Sequence, residues 1–154
     1  MKTNDIRGIF NKGVCGIAAE MGRPGVSTRW TDVEKVCMAL AKVPDLQFAD
    51  QNPVTIAMAD KKTGKLNPEV VNERSISAII EAHLPRERVG EALEVLKNIS
   101  KEIDTVFSMD IIDRPENLKQ KGSKPPVQKI LDEHGIKYYP NGKCNLGLAK
   151  PLVP

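Results

Sequence analysis

Cys15 is the first residue whose type and setting could do chemistry. It stands in the segment Gly13-Val14-Cys15-Gly16, where flanking glycines permit another group to approach the backbone closely. A thiolate is a nucleophile, but it forms near neutral pH only where cations such as Arg7, Lys12 or Arg23 lower its pKa. The alternative is a small buried side chain beside a tight turn, and the sequence favours this second interpretation.

The two remaining cysteines support no metal site. Cys37 falls on the apolar side of a predicted helix, and Cys144 adjoins a predicted turn, so we expect both to be structural. The cysteines are separated by 22 and 107 residues, which is unlike the close spacing of structural zinc ligands. An odd number of cysteines without a C-x-x-C pair predicts free thiols and a cytoplasmic location.

A glycine-rich segment before the first predicted helix is the second candidate site. Backbone N–H groups near a helix N-terminus bind anions well, and arginines beside them add positive charge. The spacing matches neither common nucleotide-binding glycine motif, so a plain loop is the alternative, and no cofactor can be named. The residues that would bind an anionic ligand are Gly13, Gly16, Arg23, Gly25, Ser27 and Arg29.

Glu81 and His83 form a third candidate. They lie two residues apart in a segment, 75–83, whose alternating pattern predicts a strand, so both side chains should share one face. A histidine beside a carboxylate can accept and release protons near neutral pH, and Asp110 and Asp113 are expected near the same sheet end. The alternative is an ordinary solvated strand end.

Lysines concentrate in two places and suggest a nucleic-acid-binding module as a further function class. With aromatic residues at 4% of the chain, the stacking side chains that such modules use are scarce. Solvated lysines on a surface turn are therefore the favoured interpretation. The lysines concerned are Lys61, Lys62 and Lys65 in one turn, and Lys119, Lys121, Lys124 and Lys129 near the C-terminus.

The clearest structural pattern is a strand–helix–strand unit over residues 75–113. An alternating strand at 75–83, a helix from Pro85 to Ile103 and a strand at 105–113 follow one another closely. That order predicts two parallel strands joined by a right-handed crossover helix.

A weaker copy of this unit precedes it. Residues 14–19 predict a strand, Thr31 and Glu34 have the spacing of a capping box for a helix over 32–43, and residues 54–60 alternate as a strand. Downstream, residues 126–134 predict a short helix, and Asn141-Gly142 predicts a hairpin that pairs 136–139 with 144–148.

The resulting order over 14–113 is β-α-β-β-α-β, which predicts a ferredoxin-like α+β sandwich with an appended C-terminal helix and hairpin. A mixed α/β sheet that incorporates the C-terminal strands is the alternative. The order resembles the ACT and related amino-acid-sensing domains. That resemblance implies a homodimer or larger homo-oligomer that binds a small effector at an interface, with Gly22 or Gly25 in the effector loop.

The length of the chain and the distribution of its charge predict its domain organisation. A chain of 154 residues suits one domain, which we place at 1–114, with a segment at 115–154 packed on it. Residues 1–114 carry 16 basic and 17 acidic residues, whereas 115–154 carry 7 and 3, so the excess positive charge lies at the C-terminus. No apolar run approaches membrane-spanning length.

We therefore expect a cytoplasmic regulatory or accessory protein that binds a small anionic metabolite. The alternatives are a small enzyme that uses Cys15, or His83 with Glu81, and a nucleic-acid-binding module that uses the basic C-terminal segment. Whether a reaction is catalysed stays open at this level.

Overall fold

The structure, a computed structural model, describes residues 13–23, 25–113 and 126–139. Strands and helices alternate through most of this length, and a 3-10 turn at Arg86–Arg88 precedes the third helix. The elements in chain order are β1 (Val14–Met21), β2 (Thr28–Arg29), α1 (Trp30–Leu40), β3 (Gln47–Phe48), α2 (Pro53–Ile56), β4 (Met58–Asp60), β5 (Lys65–Leu66), β6 (Arg74–Ser75), β7 (Ala78–Pro85), α3 (Val89–Ile99), β8 (Phe107–Ile112) and α4 (Val127–Glu133).

A four-stranded antiparallel sheet organises the described residues, in the order β3-β7-β1-β8. β1 pairs with β7 on one side and with β8 on the other, and β3 pairs with β7. Because β7 and β8 are both antiparallel to β1, they run parallel to each other, as the unit at 75–113 predicts. The chain is therefore of the α+β class, and no neighbouring pair in this described sheet is parallel.

One face of the sheet carries the hydrophobic core. Side chains alternate between the two faces of a strand, and in β7 every second residue from Ala78 to Leu84 is buried. α1 and α3 cover this face and contribute to the same apolar cluster. Its members include Ile17 and Met21 of β1, Val33, Val36 and Leu40 of α1, Ile80 and Leu84 of β7, and Leu93 and Leu96 of α3.

The start of α1 differs from the prediction. The helix begins at Trp30 with Arg29 as the N-cap residue, and no side chain caps it. Thr31 lies inside the helix, so the predicted capping box is wrong. Glu34 instead accepts a hydrogen bond from the backbone N–H of Leu66, at 3.0 Å, and thereby holds β5 against α1.

The predicted strand at 54–60 is wrong over its first half. Pro53–Ile56 form a helical turn whose N-cap, Asn52, accepts from the N–H of Val54 at 2.9 Å. Proline suits the first helical position, and this local capping outweighs the alternating pattern. Only Met58–Asp60 are a strand, paired with β5 outside the main sheet, while Gln47–Phe48 pair with β7.

The C-terminal helix is confirmed and packs on α3. His134 Nδ1 lies 3.0 Å from Glu94 Oε1, and its Nε2 would be 2.7 Å from a Cβ at Gly90. A side chain at Gly90 would therefore displace the imidazole. Residues 136–139 carry no strand assignment, and their predicted hairpin partner lies outside the described residues, as do Cys144 and the segment 114–125. The hairpin stays a prediction.

Within the described ranges, no helix combines the length and the apolar character that a membrane crossing requires.

Candidate functional site

Cys15 lies at the end of the sheet where β1 begins, which we call the ion-pair end. There Arg86 holds Asp113 through two guanidinium nitrogens, with Nε–Oδ2 at 3.1 Å and Nη2–Oδ1 at 3.0 Å. The Asp113 side chain is 1% exposed and that of Arg86 is 15% exposed. Asp113 also accepts from the N–H of Val127 at 3.0 Å, so this one carboxylate joins β8, the turn before α3 and α4.

The environment of Cys15 keeps its thiol protonated. The side chain is fully buried on the core face. Burial, with further contributions from the charge and hydrogen bonding of Asp113, raises the pKa of the thiol from 9.0 to about 12, against a smaller opposing effect of Arg86. At neutral pH almost no thiolate is present, and a nucleophilic role would need both exposure and a lowered pKa. The geometry is that of a core residue.

His83 and Glu81 share the face opposite the core. His83 lies across from Gly16 and Gln47, and Glu81 lies across from Ala18. Cys15 points to the other face, so it and His83 cannot act together. Partial burial lowers the pKa of His83, and the charge of Asp50 opposes that shift.

The carboxylate of Glu81 accepts from Asn52 Nδ2 at 3.1 Å, a contact that ties it to the start of α2. Glu81 and His83 lie on one face of β7, as their spacing predicts, and an acid–base role for the two stays a prediction.

The predicted ligand residues of the glycine-rich segment lie at different positions along β1 and beyond its two ends. Gly13 lies at the ion-pair end, where its carbonyl accepts from the N–H of Arg86 at 2.8 Å, and Gly16 lies within the strand. Arg23, Gly25, Ser27 and Arg29 follow the strand's other end. An eight-residue strand is about 26 Å long, so these two groups of residues cannot bind one small ligand together.

The second end, where β1 finishes, is built around Gly22, and we call it the loop end. Gly22 N–H donates to Val106 O at 2.8 Å, and Gly22 O accepts from the N–H of Val26 at 2.8 Å. A Cβ at Gly22 would lie 2.8 Å from Ile76 O, and φ is +79°. Only glycine fits this junction, where the loop after β1 meets the starts of β7 and β8.

Ser27 anchors the same loop in an uncommon conformation. It has a φ of 69°, which few residues other than glycine adopt, and its carbonyl accepts from Thr105 Oγ1 at 2.6 Å. Hydrogen bonds of Gly22 and Ser27 therefore hold the described parts of this loop to the segment that leads into β8.

Two arginines face each other beside this junction. In the short ladder of β2 and β6, Arg29 is the direct partner of Arg74, and both are exposed. Directly opposite residues have Cβ atoms about 5 Å apart, and like charges in that arrangement are destabilising. We call Arg29 and Arg74 the arginine pair.

The arginine pair stands at an unfavourable position for positive charge. Arg29 is the N-cap of α1, where the helix dipole is positive and where aspartate, serine or asparagine is preferred. The acidic residue of the first turn, Asp32, is buried and bound to Lys35 Nζ at 3.0 Å, so its charge is already paired with a lysine and not with the arginines. Helix dipole and two guanidinium groups thus accumulate positive potential in one place.

Every other arginine in the described ranges has an acidic partner. Arg23 pairs with Glu20 at 3.2 Å, Arg86 with Asp113, and Arg88 with Glu91. Among the five described arginines, the two that lack an ion pair are the two that face each other. Of the predicted ligand residues, Arg29 therefore has the strongest charge, whereas the charge of Arg23 is partly neutralised.

Arg74 is the residue that sequence reasoning missed. It is 45 positions from Arg29, in a connection without a recognisable motif. No sequence signal identifies it, because the pairing of two two-residue strands depends on the tertiary fold.

Comparison with protein-family models, with curated proteins and with solved structures finds no match for this chain. No group of His, Cys, Asp and Glu suited to a metal ion occurs among the described residues.

Proposed function

We propose that this protein binds a small anionic metabolite at the loop end and acts as a regulatory or accessory protein. The carrying observation is the arginine pair at the start of α1, where no side chain caps the helix. Placing two unpaired cations opposite each other destabilises the folded chain, and such local conflicts commonly mark functional sites. A bound carboxylate or phosphate would remove the repulsion and accept hydrogen bonds from both guanidinium groups.

The ferredoxin-like arrangement is part of the same proposal. It is supported by the order β3-β7-β1-β8 with antiparallel neighbours, and by α1 and α3 on the core face. The cytoplasmic location and a homo-oligomeric state belong to the proposal as well, and rest on the sequence. Neither rival function gains a specific observation: Cys15 is buried, and most of the basic C-terminal segment lies outside the described residues.

The test is a thermal-shift screen of anionic metabolites at constant ionic strength, followed by calorimetric titration of each hit. A ligand that binds only the native state raises its melting temperature. We expect Arg29→Gln and Arg74→Gln each to weaken binding about tenfold, as befits loss of a charge-assisted hydrogen bond.

Arg88→Gln is the matched control. Arg88 is ion-paired and follows β7 at the ion-pair end, so its loss should leave affinity unchanged. A screen without any hit, or a hit that binds the Arg29→Gln/Arg74→Gln double variant as tightly as the wild type, would overturn the proposal.

A further inference from the structure

Three exposed apolar residues lie in the segments that meet at the loop end, and we call them the apolar patch. Its members are Val26, Ile76 and Val106, and the Ile76 side chain is 83% exposed. Each belongs to one of the three segments that meet at Gly22, through the contacts of Gly22 with Val106 O, with the N–H of Val26 and with Ile76 O. The three side chains therefore lie at one end of the sheet.

The patch and the arginine pair are close enough for one small molecule. Arg74 and Ile76 are two residues apart, which in extended chain is about 7 Å. On the facing segment, Val26 and Arg29 bracket the strained Ser27. Positive charge and exposed apolar surface are thus joined through a backbone that the hydrogen bonds of Gly22 and Ser27 hold in place.

We infer that the ligand of the loop end is an anion that carries a compact apolar body, such as a short-chain or branched carboxylate. This inference rests on the proposed function and specifies its ligand class. The anionic group would lie between Arg29 and Arg74, where the charges favour it. The apolar body would cover Ile76 and its neighbours and remove their surface from water.

The charge and the exposed apolar surface together favour an amphipathic anion over an uncharged molecule or a simple anion. An uncharged apolar molecule would leave the repulsion between Arg29 and Arg74 in place, whereas a simple anion would leave Ile76 exposed. One amphipathic anion would both neutralise the positive charge and cover the exposed apolar side chains.

The experiment is a titration series of acetate, butyrate and hexanoate, with inorganic phosphate as an anion that lacks an apolar body. Binding is followed by the backbone amide signals of Gly22, Ile76 and Val106. A fully buried methylene is worth about fourfold in affinity, so partial burial on an open patch should give about twofold per methylene. Ile76→Ser should reduce this dependence on chain length, and Arg74→Gln should weaken all carboxylates equally.

Ile56→Ser is the matched control, because Ile56 is 70% exposed and lies on α2, which is not one of the segments that meet at Gly22. It should keep the dependence on chain length. Equal affinity for phosphate, acetate and hexanoate in the wild type would overturn the inference and leave the proposed function standing. Failure of all four anions to bind would also overturn the inference, whereas the proposed function falls only if the broader metabolite screen finds no ligand.

Sedimentation analysis of the wild type and Ile76→Ser tests whether a second copy of the chain covers the patch. A dimer that dissociates on this change would show that a second copy of the chain covers the patch, which would also overturn the inference.

Discussion

The two ends of the central sheet contain arginines in opposite circumstances. At the ion-pair end, Arg86 is largely buried and holds Asp113, which in turn fixes the first N–H group of α4. At the loop end, Arg29 and Arg74 are exposed, face each other and have no acidic partner among the described residues. The comparison separates arginines that hold the fold together from arginines whose positions the fold does not explain.

The same distinction between structural and accessible residues applies to Cys15. Cys15 lies at the ion-pair end, where burial keeps the thiol protonated. Among the described arginines, the two that are exposed and lack an ion pair lie at the loop end.

The largest expected effect comes from breaking the ion pair. Asp113→Asn removes the charge that binds the buried Arg86 guanidinium, so the free energy of unfolding should fall by about 3 kcal/mol. Denaturation by urea measures it. Glu91→Gln makes the same chemical change opposite the exposed Arg88 and should cost less than about 0.5 kcal/mol. Equal losses in the two variants would remove the distinction between the buried and exposed pairs.

A smaller effect is expected from the pH dependence of Cys15. The folded state raises the pKa of the Cys15 thiol above its ordinary 9.0. The contribution of this thiol to the free energy of unfolding is therefore fully present below pH 9 and is lost as the pH rises toward 12. Between pH 8 and pH 10, wild-type protein should lose about 1 kcal/mol more than Cys15→Ala, as measured by urea denaturation.

Cys37 is present in both proteins and cancels in that difference. Rapid alkylation of native Cys15 at pH 7.5 would contradict the assignment of this thiol to the core and revive the enzyme hypothesis.

The smallest expected effect is a change in stability when the arginine pair at the loop end is broken. Without ligand and at low salt, Arg74→Gln should stabilise the protein by about 0.3 kcal/mol, because it relieves repulsion across the ladder from Arg29. Salt screens exposed charges, so the gain should disappear near 1 M sodium chloride. Destabilisation at low salt would mean that Arg74 has a structural role, and the two ends would then be alike.

Much of the scaffold is predictable from local pattern. The apolar periodicity of residues 89–99 specifies α3, and the alternation within 78–85 specifies β7, because each element buries one face. The predicted strand at 54–60 fails where Asn52 and Pro53 start a helical turn, a signal of capping that the alternating pattern concealed.

The candidate site is only half predictable. Glycines and arginines near the start of a helix indicate an anion site, and Arg29 is found in this way. The same reasoning grouped Gly13 and Gly16 with it, although β1 puts them at a distance.

The sequence by itself determines the longer elements of this protein, such as β1, β7 and α3, since periodicity acts over a few residues. It also determines which side chains can carry charge. Only the tertiary structure decided that Arg86 meets Asp113 and that Arg29 meets Arg74, because both contacts join segments far apart in the chain. Burial and ion pairing are properties of those contacts, and they decide which arginines remain accessible to a ligand.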